Sequence, residues 1–387
     1  MKVVYLTTWP PRENGIGSFA RDLALEIEKN APEIDWEVIA VDELEKKFNY
    51  DKKVTHRFEW NDIKSYSKIA KKINLLDIDL VVVQHEYNLF GKQGGARILT
   101  LLKKLNKPCI VILHSLPHPD DRKYKYKKKK IAIIKKMSSY TDKLVTICPA
   151  GKERLTKIYD VNAQKIEIIP HGSPDFSKEA PGILKKRLGF ENNHLLLNFG
   201  FLGRRKGLET VIKAMTEVTS KYPMAKLVFL GGFNPASRNR KDFEIYLKEL
   251  RGQIKKLKIE KNVEFIEGFI PLKMVLEFYK AADIFVYANT FKSQISSGPL
   301  TYAVAAEKAI VSSSFTYAED VLGNGRGITF PMGNYHSLAD SVCKILGDPE
   351  IKLRLEKKVG VLGKTFLWKE VAKKYVKLFE KVFKEKK

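Results

Sequence analysis

Short runs of apolar and β-branched residues recur along the whole chain, and a helical pattern separates each from the next. In the first half they are Val3–Thr7, Trp36–Val41, Leu80–Gln84, Cys109–Leu113, Leu144–Ile147 and Ile166–Pro170. In the second half they are Leu195–Gly200, Lys226–Leu230, Val263–Ile266, Ile284–Ala288 and Ile310–Ser313. Strands that read as continuous apolar runs are buried on both faces, and a helix between consecutive strands makes them parallel. The pattern therefore predicts an α/β fold. A chain of 387 residues also exceeds what one hydrophobic core serves. The stretch from His171 to Pro181 carries turn residues and no period. It reads as a linker between two open parallel sheets, whose ligands are expected at the carboxyl ends of the strands. After Asp348 the chain is helical and basic, with Trp368, Val371, Tyr375, Leu378, Phe379 and Val382 on one apolar face.

Lys and Arg number 70 against 45 Asp and Glu, a net charge of +25, which favours anionic partners such as nucleotides, nucleic acid or acidic lipid. The Lys- and Glu-rich composition also fits a thermophile. No apolar run is long enough to cross a bilayer. The start, MKVVYLTTWPP, is too short and wrongly flanked for a signal peptide and reads as a first strand. Cys109, Cys148 and Cys343 lack metal-ligand spacing and read as reduced thiols of a cytoplasmic protein. The densest basic segment, residues 122–136, alternates cations with Tyr124, Tyr126 and isoleucines. This suits a peripheral position on an acidic membrane face; with no RNA-binding signature beside it, nucleic acid ranks low.

Two loops read as anion sites. Gly15 and Gly17 follow the first strand at a helix start, where free N–H groups and the helix dipole attract phosphate. The third glycine of a dinucleotide fingerprint is replaced by Ala20, and no acid is obviously poised after the second strand. In the second half Arg204, Arg205 and Lys206 stand among Gly200, Gly203 and Gly207. Arginine forks and a lysine point charge suit a diphosphate, while the spacing of a P-loop is absent. A third turn, Ser296-Ser297-Gly298-Pro299-Leu300, offers N–H groups at another helix start. His114 sits just past a strand and reads as structural or functional with even odds. His85 and Glu86 follow another strand, with structural, capping and acceptor-binding roles open; His171 reads adequately as a turn residue before a glycine. Asp77 and Asp79 precede a strand, on the wrong edge for a D-x-D metal site, and read as structural.

Taken together, Pro10-Pro11 with Asn14-Gly15-Ile16-Gly17, Ile168-Ile-Pro-His-Gly172, Gly200 with Lys206-Gly207, Val263–Ile270, Ala281–Asn289 and Thr290–Val311 resemble glycosyltransferase family 4. The resemblance spans nearly the whole chain. It implies the GT-B arrangement: two Rossmann-like domains across a deep cleft, at 1–172 and 173–365. The last helix, about 366–387, would return to the first domain. It further implies retaining transfer of a hexose from a nucleoside-diphosphate sugar to a hydroxyl of a glycan, glycolipid or small molecule, without a cofactor or a metal.

By the same resemblance, Gly15 and Gly17 approach the donor. Lys206 with Arg204 or Arg205 neutralises the departing diphosphate, while Gly268, Phe269 and Ile270 hold the base through the main chain. Ser297, Gly298, Pro299 and Leu300 face the phosphates. His114 lies near the reacting sugar, and His85, Glu86 and His171 lie on the acceptor side. Four positions depart from the family pattern. Phe201 stands where an arginine is usual, and Gln294 and Tyr302 replace a pair of glutamates. A following glycine is replaced by Glu307. By that resemblance Gln294 is a catalytic candidate near the donor sugar, which keeps hydrogen-bonding capacity and loses the charge, and Tyr302 on the donor side contacts the ribose by its hydroxyl or simply packs. These departures keep two other readings open: a glycoside phosphorylase on the same fold, and a non-catalytic sugar-nucleotide-binding or partner subunit. Base, sugar, acceptor and oligomeric state are not legible.

Overall fold

The computed structural model describes residues 1–387 except 13, 44, 47, 122–126, 234–238, 269 and 386–387. The chain forms two compact units. The first comprises Met1–Gly172, Ser293–Ser296 and Trp368–Lys387; the second comprises Ser173–Lys292 and Ser297–Leu367.

In the first unit, β1 (Lys2–Thr7), β2 (Asp35–Asp42), β3 (Val54–Glu59), β4 (Leu80–His85), β5 (Cys109–Leu113), β6 (Lys143–Thr146) and β7 (Ile166–Ile168) form one sheet. Its order is β3-β2-β1-β4-β5-β6-β7, with every pair parallel. The order reverses between β1 and β4, which opens a crevice at their carboxyl ends. Aspartates at the opposite edge staple strand starts: Asp79 accepts the Lys2 N–H at 2.8 Å, and Asp142 accepts that of Cys109 at 2.8 Å. Asp79 therefore has the structural place its position predicts.

β3 and β7 are the edge strands, and β3 lies outside the runs read from the sequence. Its alternating exposure, with only Phe58 buried, gives no continuous apolar run. At the end of β2 the structure also places an acid that the sequence reading passes over. Asp42 is fully buried, accepts from Arg57 Nε at 2.7 Å and Tyr50 Oη at 3.0 Å, and so is committed within the fold.

The helix Trp368–Lys384 buries Trp368, Val371, Tyr375, Leu378, Phe379 and Val382 against Phe19, Leu23 and Ile27 of the helix Gly15–Asn30. Gly172 makes the contact possible: a Cβ there would lie 2.0 Å from the Trp368 ring.

The second unit repeats the plan. β8 (His194–Phe199), β9 (Ala225–Gly231), β10 (Val263–Glu267), β11 (Ile284–Tyr287), β12 (Ala309–Ser313) and β13 (Ile328–Phe330) are parallel in the order β10-β9-β8-β11-β12-β13. Here the reversal falls between β8 and β11. Asp283 accepts the Leu195 N–H at 2.8 Å and pairs with Lys185 and Lys352. β13, three residues long at an edge, is the other strand absent from the sequence reading. Among the described residues no helix is long and apolar enough to cross a membrane.

Candidate active site

In the second unit, the ends of β8, β9 and β10 meet through glycines. Gly231 has φ 142°, and a Cβ on it would sit 2.1 Å from the Gly200 carbonyl oxygen. Gly232 would meet the Gly268 backbone at 3.1 Å, and Gly200 would meet Pro299 at 3.2 Å. Gly268, at φ 110°, has nothing within 4 Å on its open side. The outcome is a floor of main chain at the strand carboxyl ends, low enough for a flat ligand to lie on backbone groups. Gly231 and Gly232 complete it, although the sequence reading passed over both; the pair directly after an apolar run was the available signal. Ile270 follows at the floor's edge, and Phe269 lies outside the described residues.

Beside the floor stands the turn Arg204–Lys206. It is held by Gly207, whose φ of 60° and 2.1 Å virtual Cβ distance to the Ala288 carbonyl oxygen admit only glycine. Its three cations have different surroundings. Arg204 is bidentate to Glu249, at 2.8 and 3.2 Å, lies 3.5 Å from Asp242 and stacks 4.8 Å above Tyr246. Already neutralised by its own unit, it is corrected from a catalytic candidate to a structural clamp. Lys206 donates to Tyr287 Oη at 2.9 Å and has no carboxylate partner among the described residues. Arg205 is exposed, and its carbonyl accepts from Thr290 N at 3.0 Å. No side-chain partner occupies its guanidinium among the described residues. Arg205 and Lys206 are the two available charges.

The helix Gly298–Ala305 begins nearby with Ser297 as N-cap. Ser297 Oγ accepts the Leu300 N–H at 3.3 Å, and both residues are buried. Pro299 has no N–H, so the open amide at this start is that of Gly298. Ser297 thus caps the helix, and Leu300 packs in the core. Tyr279, fully buried, donates to the Pro299 carbonyl at 2.8 Å and fixes the turn. Tyr302 packs edge-on to Tyr279 at 6.0 Å. Glu307 adopts φ 60°, a left-handed conformation that suits glycine and costs a non-glycine residue roughly 1 kcal/mol.

In the first unit, Asn14 caps the helix Gly15–Asn30, accepting from Gly17 N at 2.7 Å and Thr8 Oγ1 at 2.9 Å. The two glycines there divide their work. Gly15 is exposed with nothing within 4 Å of a virtual Cβ, so it is the one open to a ligand. Gly17 is buried, and its Cβ would meet the Thr8 carbonyl oxygen at 3.0 Å, so it serves helix-to-strand packing.

His114 follows β5, with its Nε2 2.8 Å from Gln84 Oε1 and its ring edge-on to Phe19 at 4.8 Å. Burial, with smaller contributions from His171 and His85, holds the imidazole neutral down to about 3. Residues 293–296 dock beside it. Ser296 Oγ donates to the His114 carbonyl at 2.9 Å, Arg154 donates to the Ser293 carbonyl at 2.7 Å, and Ser293 bonds Asp121. Gln294, half-buried, donates to the Ser296 carbonyl at 2.5 Å.

Of the acceptor-side candidates, His85 is fully buried and stacked on Phe90, with both ring nitrogens unpartnered among the described residues. Burial and the Lys130 charge lower its pKa to about 3. Its place is in the core of the first unit. Glu86 is half-buried; burial raises its carboxyl above the ordinary range, and it accepts the Tyr87 N–H at 3.0 Å. His171 donates from Nδ1 to the Gly172 carbonyl at 2.7 Å and packs on Phe19, with burial lowering its pKa to about 4.

Two family models match this chain in succession. "Glycosyltransferase Family 4" covers residues 14–174, and "Glycosyl transferases group 1" covers residues 182–359. The chain belongs to glycosyltransferase family 4. A curated relative, the alpha-monoglucosyldiacylglycerol synthase of Streptococcus pneumoniae, is 24% identical over 373 residues. That alignment covers 89% of this chain and 77% of the relative. Among solved structures, Anabaena HepE in complex with UDP is 14% identical with a TM-score of 0.78, over 98% of this chain and 100% of that one. Sucrose-phosphate synthase from Thermosynechococcus elongatus is 16% identical with a TM-score of 0.77, over the full length of both. These likenesses establish the GT-B fold.

The protein is a glycosyltransferase, and its departures from the family 4 pattern now have places. Phe201, where the family has an arginine, is 45% exposed directly after Gly200 and supplies no charge. Among the described residues of this turn, Arg205 and Lys206 are the cations without a carboxylate partner. Gln294 and Tyr302, at the positions of the paired glutamates, lie in different compact units. Glu307, which replaces a glycine of that pattern, has a positive φ of 60°. Among the described residues no group of three or more His, Cys, Asp or Glu could hold a metal ion.

Proposed function

We propose that this family 4 glycosyltransferase moves a glucosyl group from UDP-glucose to a hydroxyl of a lipid-linked acceptor, with retention at the anomeric carbon. The observation that carries the reading is the pair of available cations, Arg205 and Lys206, beside the bare glycine floor and the Gly298 amide. Such a half-site suits a flat base joined to a diphosphate. Neutralising the departing diphosphate is the largest effect these residues can supply, and two fixed cations do so without a metal. In the reaction, the bond from the anomeric carbon to the diphosphate oxygen breaks while the bond to the acceptor oxygen forms on the same face. The acceptor's proton leaves with a diphosphate oxygen.

The choice of UDP-glucose is supported by HepE structures containing UDP and UDP-glucose. The lipid acceptor is supported by the name of the streptococcal relative and by the basic helix Lys127–Tyr140, whose Lys128, Lys129, Lys135 and Lys136 are exposed. Residues 122–126 of the basic run lie outside the described residues. The test is release of UDP from UDP-glucose by the purified protein with diacylglycerol in vesicles containing anionic lipid. Acceptor-dependent release that weakens in neutral vesicles is expected. No release with UDP-glucose, alongside turnover of a GDP- or ADP-sugar, would overturn the choice of donor.

The surroundings of the two arginines set a sharper expectation. Arg205→Ala should weaken donor binding by about 1.5–3 kcal/mol, the range for a hydrogen bond to a charged group. Arg204→Ala should leave donor binding within about twofold and act, if anywhere, on stability, weakly because its ion pair is exposed. Calorimetry with UDP and thermal melting separate the two; a larger binding loss in Arg204→Ala would reverse the assignment.

A further inference from the structure

The environment of His114 carries an inference that rests on the transferase reading and adds a residue to it. β4 and β5 are neighbours, with Gln84 opposite Ile112 and His85 opposite Leu113. That register brings the Gln84 side chain under the first residue past β5, with Oε1 2.8 Å from His114 Nε2. Gln84 is fully buried, and its own Nε2 has no partner among the described residues. A core amide that leaves one donor unpaired is costly to keep, so its single bond to the histidine calls for a reason.

The rest of the histidine is held as firmly. Its N–H donates to the His85 carbonyl at 3.2 Å, its carbonyl accepts from Ser296, and Phe19 closes one side of the ring. Nδ1 bonds to no described residue. An amide oxygen accepts a proton and carries no charge, so it can select a tautomer without favouring the imidazolium, as a carboxylate would. The other titratable groups acting on His114 are His171 and His85, and a proton on either would disfavour one on His114.

We propose that Gln84 is a positioning residue that fixes His114 as the neutral Nε2–H tautomer, leaving the Nδ1 lone pair to accept a sugar hydroxyl at the carboxyl end of β5. Gln84 itself is sealed from substrate and acts only through the ring.

Nitrogen-15 NMR of the whole protein, with His114 assigned through His114→Asn, tests this without any substrate. The wild type should show Nε2 protonated and Nδ1 bare at pH about 7, below which burial still keeps the ring neutral. In Gln84→Leu the two tautomers should mix. UDP release from UDP-glucose should fall roughly 10- to 100-fold in kcat, as when an orienting partner of a histidine is lost. The KM for UDP-glucose should change little. In Gln84→Glu the carboxylate favours the imidazolium. Activity should then gain an acid limb absent from the wild type, falling at least about tenfold between pH about 7 and about 5. An Nδ1–H tautomer or an imidazolium in the wild type at neutral pH would overturn the proposal. So would Gln84 variants with an unchanged His114 spectrum and pH profile. Full activity in His114→Asn would instead remove His114 from the reaction, and the absence of UDP release in wild type would fault the donor. Neither result is confused with the NMR reading.

Discussion

Replacing Lys206 by alanine is expected to lower kcat by about 100- to 1,000-fold, the usual loss when one preorganised charge or donor at a departing oxyanion is removed. The structure gives the reason in three parts. Lys206 has no carboxylate partner among the described residues, its Nζ is oriented by the Tyr287 hydroxyl at 2.9 Å, and Tyr287 is itself buried at 1% exposure. The charge is thus held in place before the reaction begins, and Phe201 offers no substitute for it. Because the ammonium matters most as the diphosphate gathers charge, affinity for the intact donor should suffer less than turnover. The melting temperature should stay close to wild type, since the side chain is half-exposed and its hydrogen bond is single. Lys206→Arg should recover part of the rate. Turnover in Lys206→Ala within a factor of about three of wild type would show that the leaving group is stabilised elsewhere.

The second large effect falls on folding. Gly231→Ala would place a methyl group 2.1 Å from the Gly200 carbonyl oxygen, at a φ of 142° that L residues rarely adopt. Neither neighbour is a side chain that can swing away; both are main chain at the ends of adjacent parallel strands. We expect a loss of about 3 kcal/mol or more, the sum of a backbone penalty and a forced shift between β8 and β9. For a unit of this size that is a fall in melting temperature of roughly 6–12 °C. Gly182→Ala is the control: it sits in the helix Pro181–Arg187 with nothing within 4 Å of its new Cβ. It should hold or slightly raise the melting temperature. Equal behaviour of the two variants would mean that the glycine floor is looser than its geometry.

How far the sequence foretold these features depends on what each residue's signal was made of. Interior strands were legible because Val81–Val83 or Leu195–Leu197 are apolar on both faces. β3 and β13 were not, because an edge strand with one wet face leaves no continuous run. The C-terminal helix was legible from one apolar face, and its return to the first unit from the family resemblance; the close contact it makes there was not. That depends on Gly172 lacking a side chain where the Trp368 ring arrives.

At the candidate site, residue type announced the cations but not their partners. Arg204 and Arg205 are adjacent and chemically identical. Only the later helix Arg240–Lys256, which supplies Asp242 and Glu249, decides which of them is already neutralised. His85 and His114 likewise sit at the ends of neighbouring strands, but His85 is the last residue of β4, sealed in the core, and His114 the first past β5.

The way the two units share the chain also bears on how the protein is made. The second unit, apart from the four residues 293–296, is one continuous stretch from Ser173 to Leu367. The first is complete only when Trp368–Lys384 has been added to a sheet whose strands ended some 200 residues earlier. During synthesis the N-terminal sheet must therefore wait, with Phe19, Leu23 and Ile27 uncovered, while the later unit is translated and can close first. At about 5–20 residues per second that wait lasts on the order of ten seconds or more. The order of completion is the reverse of the order of translation, and the exposed helix face is where a chaperone would be needed.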